Sequence, residues 1–264
     1  MKSVLYAKNT SDLLTQLKNN KGLELVGGCT GIEQLPEKSI STHGIKDLSH
    51  IERHERYIQV GPGATLAELI NLGANHVPQV LYEALNTIAN PMIRNMATIG
   101  GNICSSDHKH TLYAPLLALE TKLEFKSQSE TIVETLQNFK KIPEGFILSN
   151  IRIAIIDEDI AIFRRVGPEN TITQNSASYA FIANTEKNVI VEVKLAYAGP
   201  IAFKSKMIEN ILIGHRLPLS IKEIDSIQEQ IASEFKTATA DQMISKVAIQ
   251  QFLNLTRYSF EQLT

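Results

Sequence analysis

The spacing of apolar residues at the start of the chain predicts a strand–helix–strand unit. SVLYA, at residues 3–7, is typical of a short strand, and LELV, at 23–26, is typical of a second one. Between them, apolar residues recur on one face of a predicted helix over 12–19, for which Thr10 or Ser11 is the expected cap.

The middle of the chain continues with alternating strands and helices. YIQV, at 57–60, predicts a strand, and a helix is expected from Thr65 after a Pro/Gly turn. A further helix is expected to begin near Pro115, because proline suits an early helical position, and ETKLEF then alternates like a strand. KIPEGFILSNIRIAI, at 141–155, indicates a turn followed by a strand.

The second half of the chain has a different pattern. Two alternating segments, at 175–183 and 188–199, predict an antiparallel hairpin. SIKEIDSIQEQIASEF predicts an amphipathic helix that begins with a capping box formed by Ser220 and Glu223. A final helix is expected within 241–263. The predicted buried stripe of the amphipathic helix consists of Ile224, Ile227, Ile231 and Phe235. These elements together predict an α+β fold with a domain boundary near 145–155.

Composition and charge narrow the class of protein. The chain has 264 residues, of which 43% are hydrophobic and 20% charged, as in ordinary globular proteins. With 26 basic and 28 acidic residues the net charge is −2, which gives no reason to expect nucleic acid or an anionic membrane as partner. No apolar run approaches the roughly 20 residues of a membrane span, and no secretory signal is evident. A cytoplasmic location is therefore expected.

The chain has only two cysteines, Cys29 and Cys104. This number excludes a disulfide scaffold. It also excludes an iron–sulfur cluster held by the chain's own thiolates, since such clusters normally need about four. If the protein transfers electrons, any iron–sulfur centre is expected on another chain.

Two segments contain adjacent glycines after apolar residues, LVGGCTGI at 25–32 and ATIGGNI at 97–103. Glycine lets a backbone come close to a ligand, and successive free N–H groups in a loop form an anion-binding concavity. Such loops suit a pyrophosphate, although each taken alone is also typical of an ordinary turn. Neither segment has the G-x-G-x-x-G or P-loop pattern.

The remaining polar residues do not by themselves indicate a particular reaction or ligand. Asp107, His108 and His110 lack the spacing of a metal site and are better explained as a solvated loop. No G-x-S-x-G motif supports a hydrolase. FRRVGPEN, at 163–170, places two arginines before a Gly-Pro turn, which suits a flavin or a phosphate but equally a solvated basic pair.

Taken together and in order, these segments resemble one family, the FAD-binding middle subunit of the molybdenum hydroxylases, such as bacterial xanthine dehydrogenases and carbon monoxide dehydrogenases. IRNMATIGGNIC, at 93–104, is similar to the family's most specific string almost letter for letter. VGGCTGI, GPGATLAEL, APLLALETKL and FRRVGPEN are similar to its other motifs.

The resemblance implies a fold and a domain division. Residues 1–148 would form a two-lobed FAD-binding domain of the vanillyl-alcohol-oxidase (PCMH) type, with lobes at about 1–55 and 56–148. Residues 149–264 would form a C-terminal α+β domain of the carbon monoxide dehydrogenase flavoprotein type, an antiparallel sheet with helices.

The resemblance also implies a cofactor site. In the family, two glycine loops surround the FAD pyrophosphate. Leu148 matches a backbone contact to the flavin, and Arg165 matches a basic residue near the flavin ring. The implied loop residues are Val26, Gly27, Gly28, Cys29, Thr30, Gly31 and Ile32 in the first segment, and Ala97, Thr98, Gly100, Gly101, Asn102 and Cys104 in the second.

The function implied by the resemblance is electron transfer. FAD would accept electrons from a [2Fe-2S] centre on a partner chain and pass them to NAD or another acceptor. Substrate, expected to be a purine or another N-heterocycle, would be oxidised on a third chain that binds molybdopterin. No residue of this chain is assigned a catalytic role, because the cofactor carries the hard chemistry.

Departures from the family pattern keep two alternatives open. Leu112 stands where many members have an aspartate, Phe146 replaces an acidic residue, and Glu169 replaces an arginine. These departures motivate a degenerate member that binds a nucleotide or a partner chain without turnover. A stand-alone flavin oxidase is the other alternative. A separate hypothesis is that Cys29 and Cys104, one in each glycine loop, form a redox-sensitive pair.

Overall fold

The computed structural model describes residues 3–105, 111–168 and 171–264. The chain divides into two compact units. The first comprises Met1–Val77, Ile88–Ser106 and Glu120–Ile155, and the second comprises Pro78–Thr87, Asp107–Leu119 and Ile156–Thr264. This division groups residues by compactness and does not test the domain boundary after residue 148, which stays a prediction.

A three-stranded parallel sheet forms one part of the first unit. Its strands are β1 (Ser3–Tyr6), β2 (Glu24–Val26) and β3 (Lys38–Ser41), in the order β1-β3-β2. Helix α1 (Thr10–Asn19) lies between β1 and β2 in the chain, and its Leu13 side chain is buried. The predicted strand–helix–strand unit is thus confirmed, although the predicted cap residue of the helix is wrong. The Asn9 side chain, rather than Thr10 or Ser11, accepts the N–H of Asp12.

A five-stranded antiparallel sheet forms the other part of the first unit, in the order β4-β5-β8-β6-β7. Its central strand β8 has an irregularity in its pairing with β6, next to Phe125. The two expected strands at 57–60 and within 141–155 are confirmed as β5 and β8. The strands are β4 (Ile51–Arg53), β5 (Tyr57–Val60), β6 (Lys122–Lys126), β7 (Thr131–Thr135) and β8 (Ile147–Ala154).

Besides a 3-10 turn at Lys46–Leu48, three short α-helices lie in the described part of the first unit. They are α2 (Leu66–Asn71), α4 (Pro91–Arg94) and α5 (Ile99–Cys104). Helix α2 starts where it was expected, because Thr65 and Glu68 form a capping box.

The second unit is built on a four-stranded antiparallel sheet in the order β12-β11-β10-β9. The predicted hairpin is confirmed as β10 and β11, which pair along their lengths. Strand β9 lies at one edge of the sheet. The strands are β9 (Ile160–Val166), β10 (Ala177–Glu186), β11 (Val189–Ala198) and β12 (Ala202–Phe203).

Within the described ranges five helices belong to the second unit, and two of them come from the first half of the chain. These two are α3 (Gln79–Asn86), which lies against β9, and α6 (Tyr113–Ala118), which lies against β10 and β11. The others are α7 (Lys206–Leu212), α8 (Ile221–Ala238) and α9 (Lys246–Glu261).

The amphipathic helix is the most accurate of the helix predictions. Helix α8 begins with the predicted capping box at Ser220, and all four residues of its predicted stripe are buried. Helix α6 begins two residues before Pro115, and α9 begins only after Ser245, which caps it. Among the described residues no helix is both long and apolar enough to cross a bilayer. The cytoplasmic location stays a prediction.

Candidate functional site

The two glycine segments meet in the first unit. A Cβ atom added to Gly28 would lie only 1.7 Å from the Met96 carbonyl oxygen, just before the second segment. A Cβ on Gly27 would lie 3.2 Å from Oγ1 of Thr98. Because real Cβ atoms do not approach a backbone oxygen this closely, only glycine allows the contact at position 28. The structure therefore brings together two segments that are far apart in sequence.

The second glycine segment is helical rather than a loop, which corrects the sequence-based expectation. It forms the start of α5, and the Thr98 side chain caps it by accepting the N–H of Gly101 at 3.1 Å. The N–H of Gly100 donates to the Pro62 carbonyl at 2.9 Å, and that of Asn102 donates to the Thr98 carbonyl at 3.1 Å. The expectation of successive free N–H groups is therefore wrong here, because the helix and its cap use them.

The turn after β5 supports this helix from the other side. A Cβ on Gly100 would lie 2.5 Å from the Cβ of Pro62, so the helix start rests directly on the turn. The N–H of Ile99 donates to the Ala64 carbonyl at 3.0 Å, and that of Leu66 donates to the Ala97 carbonyl at 2.9 Å. The supporting role of Pro62 was not predicted, although the GPG sequence at 61–63 is a turn signal that points to it.

In the first glycine segment the backbone N–H groups from Gly27 to Ile32 are open, meaning that they donate to no described acceptor. Cys29 has a positive φ of 55°, an unusual conformation for a residue with a side chain. Its neighbours Thr30 and Gly31 are exposed. This segment therefore has the open N–H groups that were expected of both segments, and their binding of an anion stays a prediction.

Asn102 contributes a polar atom for which the described residues supply no partner. Its side-chain oxygen Oδ1 is buried and accepts no hydrogen bond from any described residue. A buried acceptor without a donor costs about 1–3 kcal/mol, so such an atom is a marker for a bound group that donates to it. The open N–H groups of the first segment and this orphaned oxygen together fit a nucleotide cofactor with a phosphate and hydroxyl donors.

The two cysteines of these segments differ in their environments. Cys29 is exposed, whereas Cys104 is half-buried, and both are free thiols. Burial raises the pKa of the Cys104 thiol to about 12, so this group is neutral at physiological pH. The redox-sensitive pair stays a prediction.

The other implied site residues lie in two different compact units. Leu148 is buried on β8 of the first unit, opposite Phe125 in the register of β6. Arg165 lies on β9 of the second unit and donates to the carbonyls of Pro168 at 2.7 Å and Thr171 at 3.1 Å.

Of the three residues that depart from the family pattern, two lie in the described parts of the chain. Leu112 is fully buried beside helix α6, and Phe146 is half-buried just before β8. Glu169 lies outside the described residues, as do Asp107, His108 and His110. Within the described ranges, no group of three or more His, Cys, Asp or Glu residues could hold a metal ion.

Comparison with known protein families identifies the family of this chain. The family described as FAD binding domain in molybdopterin dehydrogenase matches residues 1–153, which is more than half of the 264 residues. The chain belongs to this family. Its cofactor is thus FAD, as the resemblance implied, and the dehydrogenases of this family are oxidoreductases.

Two relatives differ greatly in length. The chain is 28% identical over 200 residues to indole-3-acetaldehyde oxidase of Zea mays, which covers 70% of the chain but only 15% of the maize protein. It is 23% identical over 249 residues to the glyceraldehyde dehydrogenase medium chain of Sulfolobus acidocaldarius, which covers 88% of the chain and 86% of the archaeal one. The chain therefore spans a small part of one relative and most of the other.

A solved structure shares the whole fold. The match is to reconstituted CO dehydrogenase from Oligotropha carboxidovorans, with a TM-score of 0.83 and 16% identity. It covers 100% of this chain and 96% of the other. The predicted fold class, α+β with antiparallel sheets and of the carbon monoxide dehydrogenase type, is thereby confirmed.

Proposed function

We propose that this chain is the electron-transfer flavoprotein component of a multi-subunit molybdenum hydroxylase of the xanthine dehydrogenase-like type. Electrons would come from a [2Fe-2S] centre on a partner chain and leave through FAD to NAD or another acceptor. Substrate would be oxidised on a third, molybdopterin-binding chain. Family membership and the contact between the two glycine segments support this proposal most directly.

The geometry of the first unit supports a proposal for how its residues would hold FAD. The open backbone from Gly27 to Ile32 would donate N–H groups to the pyrophosphate, and Val26, the last residue of β2, would lead the chain into it. The second segment, from Ala97 to Cys104, would contribute mainly through side chains, since its N–H groups are used within α5. Asn102 would accept a hydrogen bond from a donor of the cofactor. When bound, FAD supplies the uptake and release of electrons, and the chain supplies its position.

Leu148 and Arg165 are proposed as contacts to the flavin end, as the resemblance implied. The Arg165 guanidinium is held by two backbone carbonyls, which fixes its charge in place before any ligand binds. The division into an FAD domain at 1–148 and a C-terminal domain at 149–264 is part of the same proposal.

Cysteine content is the reason for proposing partner chains. With two cysteines, of which Cys104 holds a neutral thiol, the chain cannot ligate an iron–sulfur cluster by itself. The electron donor is therefore placed on a separate chain or on another part of a longer protein.

FAD titration of the purified chain tests the first part of the proposal. Quenching of flavin fluorescence is expected to saturate at one FAD per chain. Asn102→Leu is expected to weaken FAD binding about ten-fold, because one buried hydrogen bond is lost. No binding on titration would contradict the proposal and support the degenerate alternative.

Co-purification tests the second part. Tagged chain from its own cells is expected to bring down an iron–sulfur chain and a molybdopterin chain. A yellow protein that purifies alone and oxidises a substrate with oxygen would instead support a stand-alone flavin oxidase.

A further inference from the structure

The turn formed by Gly61, Pro62 and Gly63 lies where several parts of the first unit meet. It follows β5 directly, and the start of α5 rests on Pro62. The N–H of Gly61 donates to the His50 carbonyl at 2.8 Å, and that of Gly63 donates to the Leu48 carbonyl at 2.6 Å. Proline has no N–H group. The turn therefore has no N–H donor left for a neighbouring side chain.

Asn150 on β8 has a buried acceptor beside this turn. The pairing of β5 with β8 ends at Val60 and Ile151, so the next residue of the chain, Gly61, is the neighbour of Asn150 on that side. Its neighbour on β6 is Glu124, whose carboxylate only accepts hydrogen bonds. The Asn150 side chain is 8% exposed, and its Oδ1 accepts no hydrogen bond from a described residue.

His50 carries a second acceptor of the same kind. Its Nδ1 lies 3.0 Å from the Asp47 carbonyl, and because a carbonyl only accepts, Nδ1 holds the proton of the neutral ring. Nε2 is then an acceptor, and it is buried without a partner among the described residues. The Asn102 oxygen on α5 is the third such atom. Three buried acceptors thus belong to segments that adjoin one turn.

The chemistry and the placement of these acceptors point to one part of FAD. Buried acceptors are normally satisfied, so this group indicates a ligand with several hydroxyl or N–H donors. The ribityl chain of FAD carries several hydroxyls and connects the pyrophosphate to the flavin ring. Helix α5 begins beside the first glycine segment, where the pyrophosphate is proposed to bind, and Asn150 follows closely after Leu148, the proposed flavin contact. The acceptors therefore lie on segments that adjoin both proposed ends of this chain.

We propose that His50 and Asn150 belong to the FAD site and hold the ribityl chain. Its hydroxyls would donate to Nε2 of His50 and to Oδ1 of Asn150. These contacts would orient the cofactor, so both are positioning residues and take no part in electron transfer. Neither residue lies in the glycine segments or in the other motifs that resemble the family. The assignment rests on the proposed function, because it needs FAD as the ligand.

Titration of the FAD-free full chain with FAD and with ADP tests the assignment. ADP has a pyrophosphate and a ribose, as FAD does, but no ribityl chain. Asn150→Leu and His50→Asn are each expected to weaken FAD binding about ten-fold, through loss of one hydrogen bond, and to leave ADP binding unchanged. The second variant offers an amide N–H in place of Nδ1–H for the Asp47 carbonyl but lacks Nε2.

Thr121→Val is the matched control. Oγ1 of Thr121 is also buried without a partner among the described residues. Thr121 directly precedes Lys122, which pairs with Arg152, so it lies beyond the far end of the β6–β8 ladder from the turn. The affinities of Thr121→Val for FAD and for ADP are expected to equal those of the wild type.

Melting temperatures of the FAD-free variants separate binding from folding. Removal of an unpaired buried acceptor is expected to leave the melting temperature of Asn150→Leu unchanged or higher. A lower melting temperature with unchanged FAD affinity would mean that Asn150 has a purely structural role, and it would overturn the assignment. If Asn150→Leu does not fold, Asn150→Ala removes the same acceptor with less bulk.

The two ligands separate the remaining outcomes. Equal loss of FAD and ADP affinity would mean that the ribose, rather than the ribityl chain, meets these acceptors, and it would overturn the assignment. FAD binding that both Asn150→Leu and His50→Asn retain in full would overturn the assignment and leave the proposed function standing. A wild-type chain that binds no FAD would contradict the proposed function itself.

Discussion

Replacing Gly28 with alanine tests whether the contact between the two glycine segments builds the FAD site. The added Cβ would lie 1.7 Å from the Met96 oxygen and 2.6 Å from the Met96 carbonyl carbon. Real Cβ atoms stay beyond 3.0 Å, so the two backbones must separate by roughly 1.3 Å. Neither neighbour is the end of a flexible side chain, so the strain cannot be relieved by a rotamer change.

The expected cost of Gly28→Ala has two parts. Overpacking of this kind costs about 1–3 kcal/mol of folding free energy. In a chain of this size that lowers the melting temperature by about 2–4 °C per kcal/mol. Separation of the segments also moves the open N–H groups away from Asn102, and the loss of one charge-assisted hydrogen bond weakens FAD binding roughly ten- to hundred-fold.

Thermal melting measures the loss of folding free energy, and FAD titration of the same preparations measures the loss of FAD affinity. Gly31→Ala adds the same methyl group to the same segment, but no atom lies within 4 Å of it. Its melting temperature is expected to equal that of the wild type, and any loss of FAD affinity reports contact of the methyl with the cofactor. If Gly28→Ala melts and binds FAD like the wild type, the reasoning is refuted.

Three further predictions concern stability and thiol reactivity. Lys204→Met is expected to lower the free energy of unfolding in urea by about 3 kcal/mol, because the Lys204–Glu209 pair at 2.8 Å has side chains only 2% exposed. Iodoacetamide at pH 8 is expected to label Cys29 and spare Cys104, since burial raises the pKa of Cys104 to about 12 and keeps its thiol protonated, as mass spectrometry would show. Ser220→Ala is expected to cost about 1 kcal/mol in the same urea assay, because it removes the cap of α8.

Each of these has an outcome that contradicts it. The double variant Lys204→Met, Glu209→Gln removes the buried charge and keeps an acceptor for the Leu195 N–H, which donates to Oε1 of Glu209 at 3.0 Å. It is expected to recover part of the stability, and no recovery would mean that packing rather than the uncompensated charge causes the loss. Equal labelling of the two cysteines at pH 8 would contradict the burial of Cys104. A Ser220→Ala variant as stable as the wild type would show that the capping box adds nothing here.

Local sequence pattern was sufficient where an element is determined by its own residues. The stripe of Ile224, Ile227, Ile231 and Phe235 and the box at Ser220 define α8 without reference to the rest of the chain. The β10–β11 hairpin is likewise local, because its strands are joined by a short turn.

The glycine segments show where local pattern fails. The sequence pointed to both segments, but it predicted two similar open loops. In the structure Thr98 caps a helix that uses the N–H groups of the second segment, so only the first is open. The sequence does not reveal this difference, because it depends on Pro62 and Ala64 as partners from another turn.

The family and its cofactor could be predicted from motifs, and most of the helices and strands from hydrophobic periods, because motifs and periods are local properties of the chain. Three features depend on the tertiary structure: the contact of Gly28 with Met96, the Asn102 oxygen that accepts no hydrogen bond from a described residue, and the place of α3 and α6 in the second unit. The physical reason is common to all three. Close approach, burial and choice of packing partner arise between segments distant in sequence, and no repeating pattern within one segment encodes them.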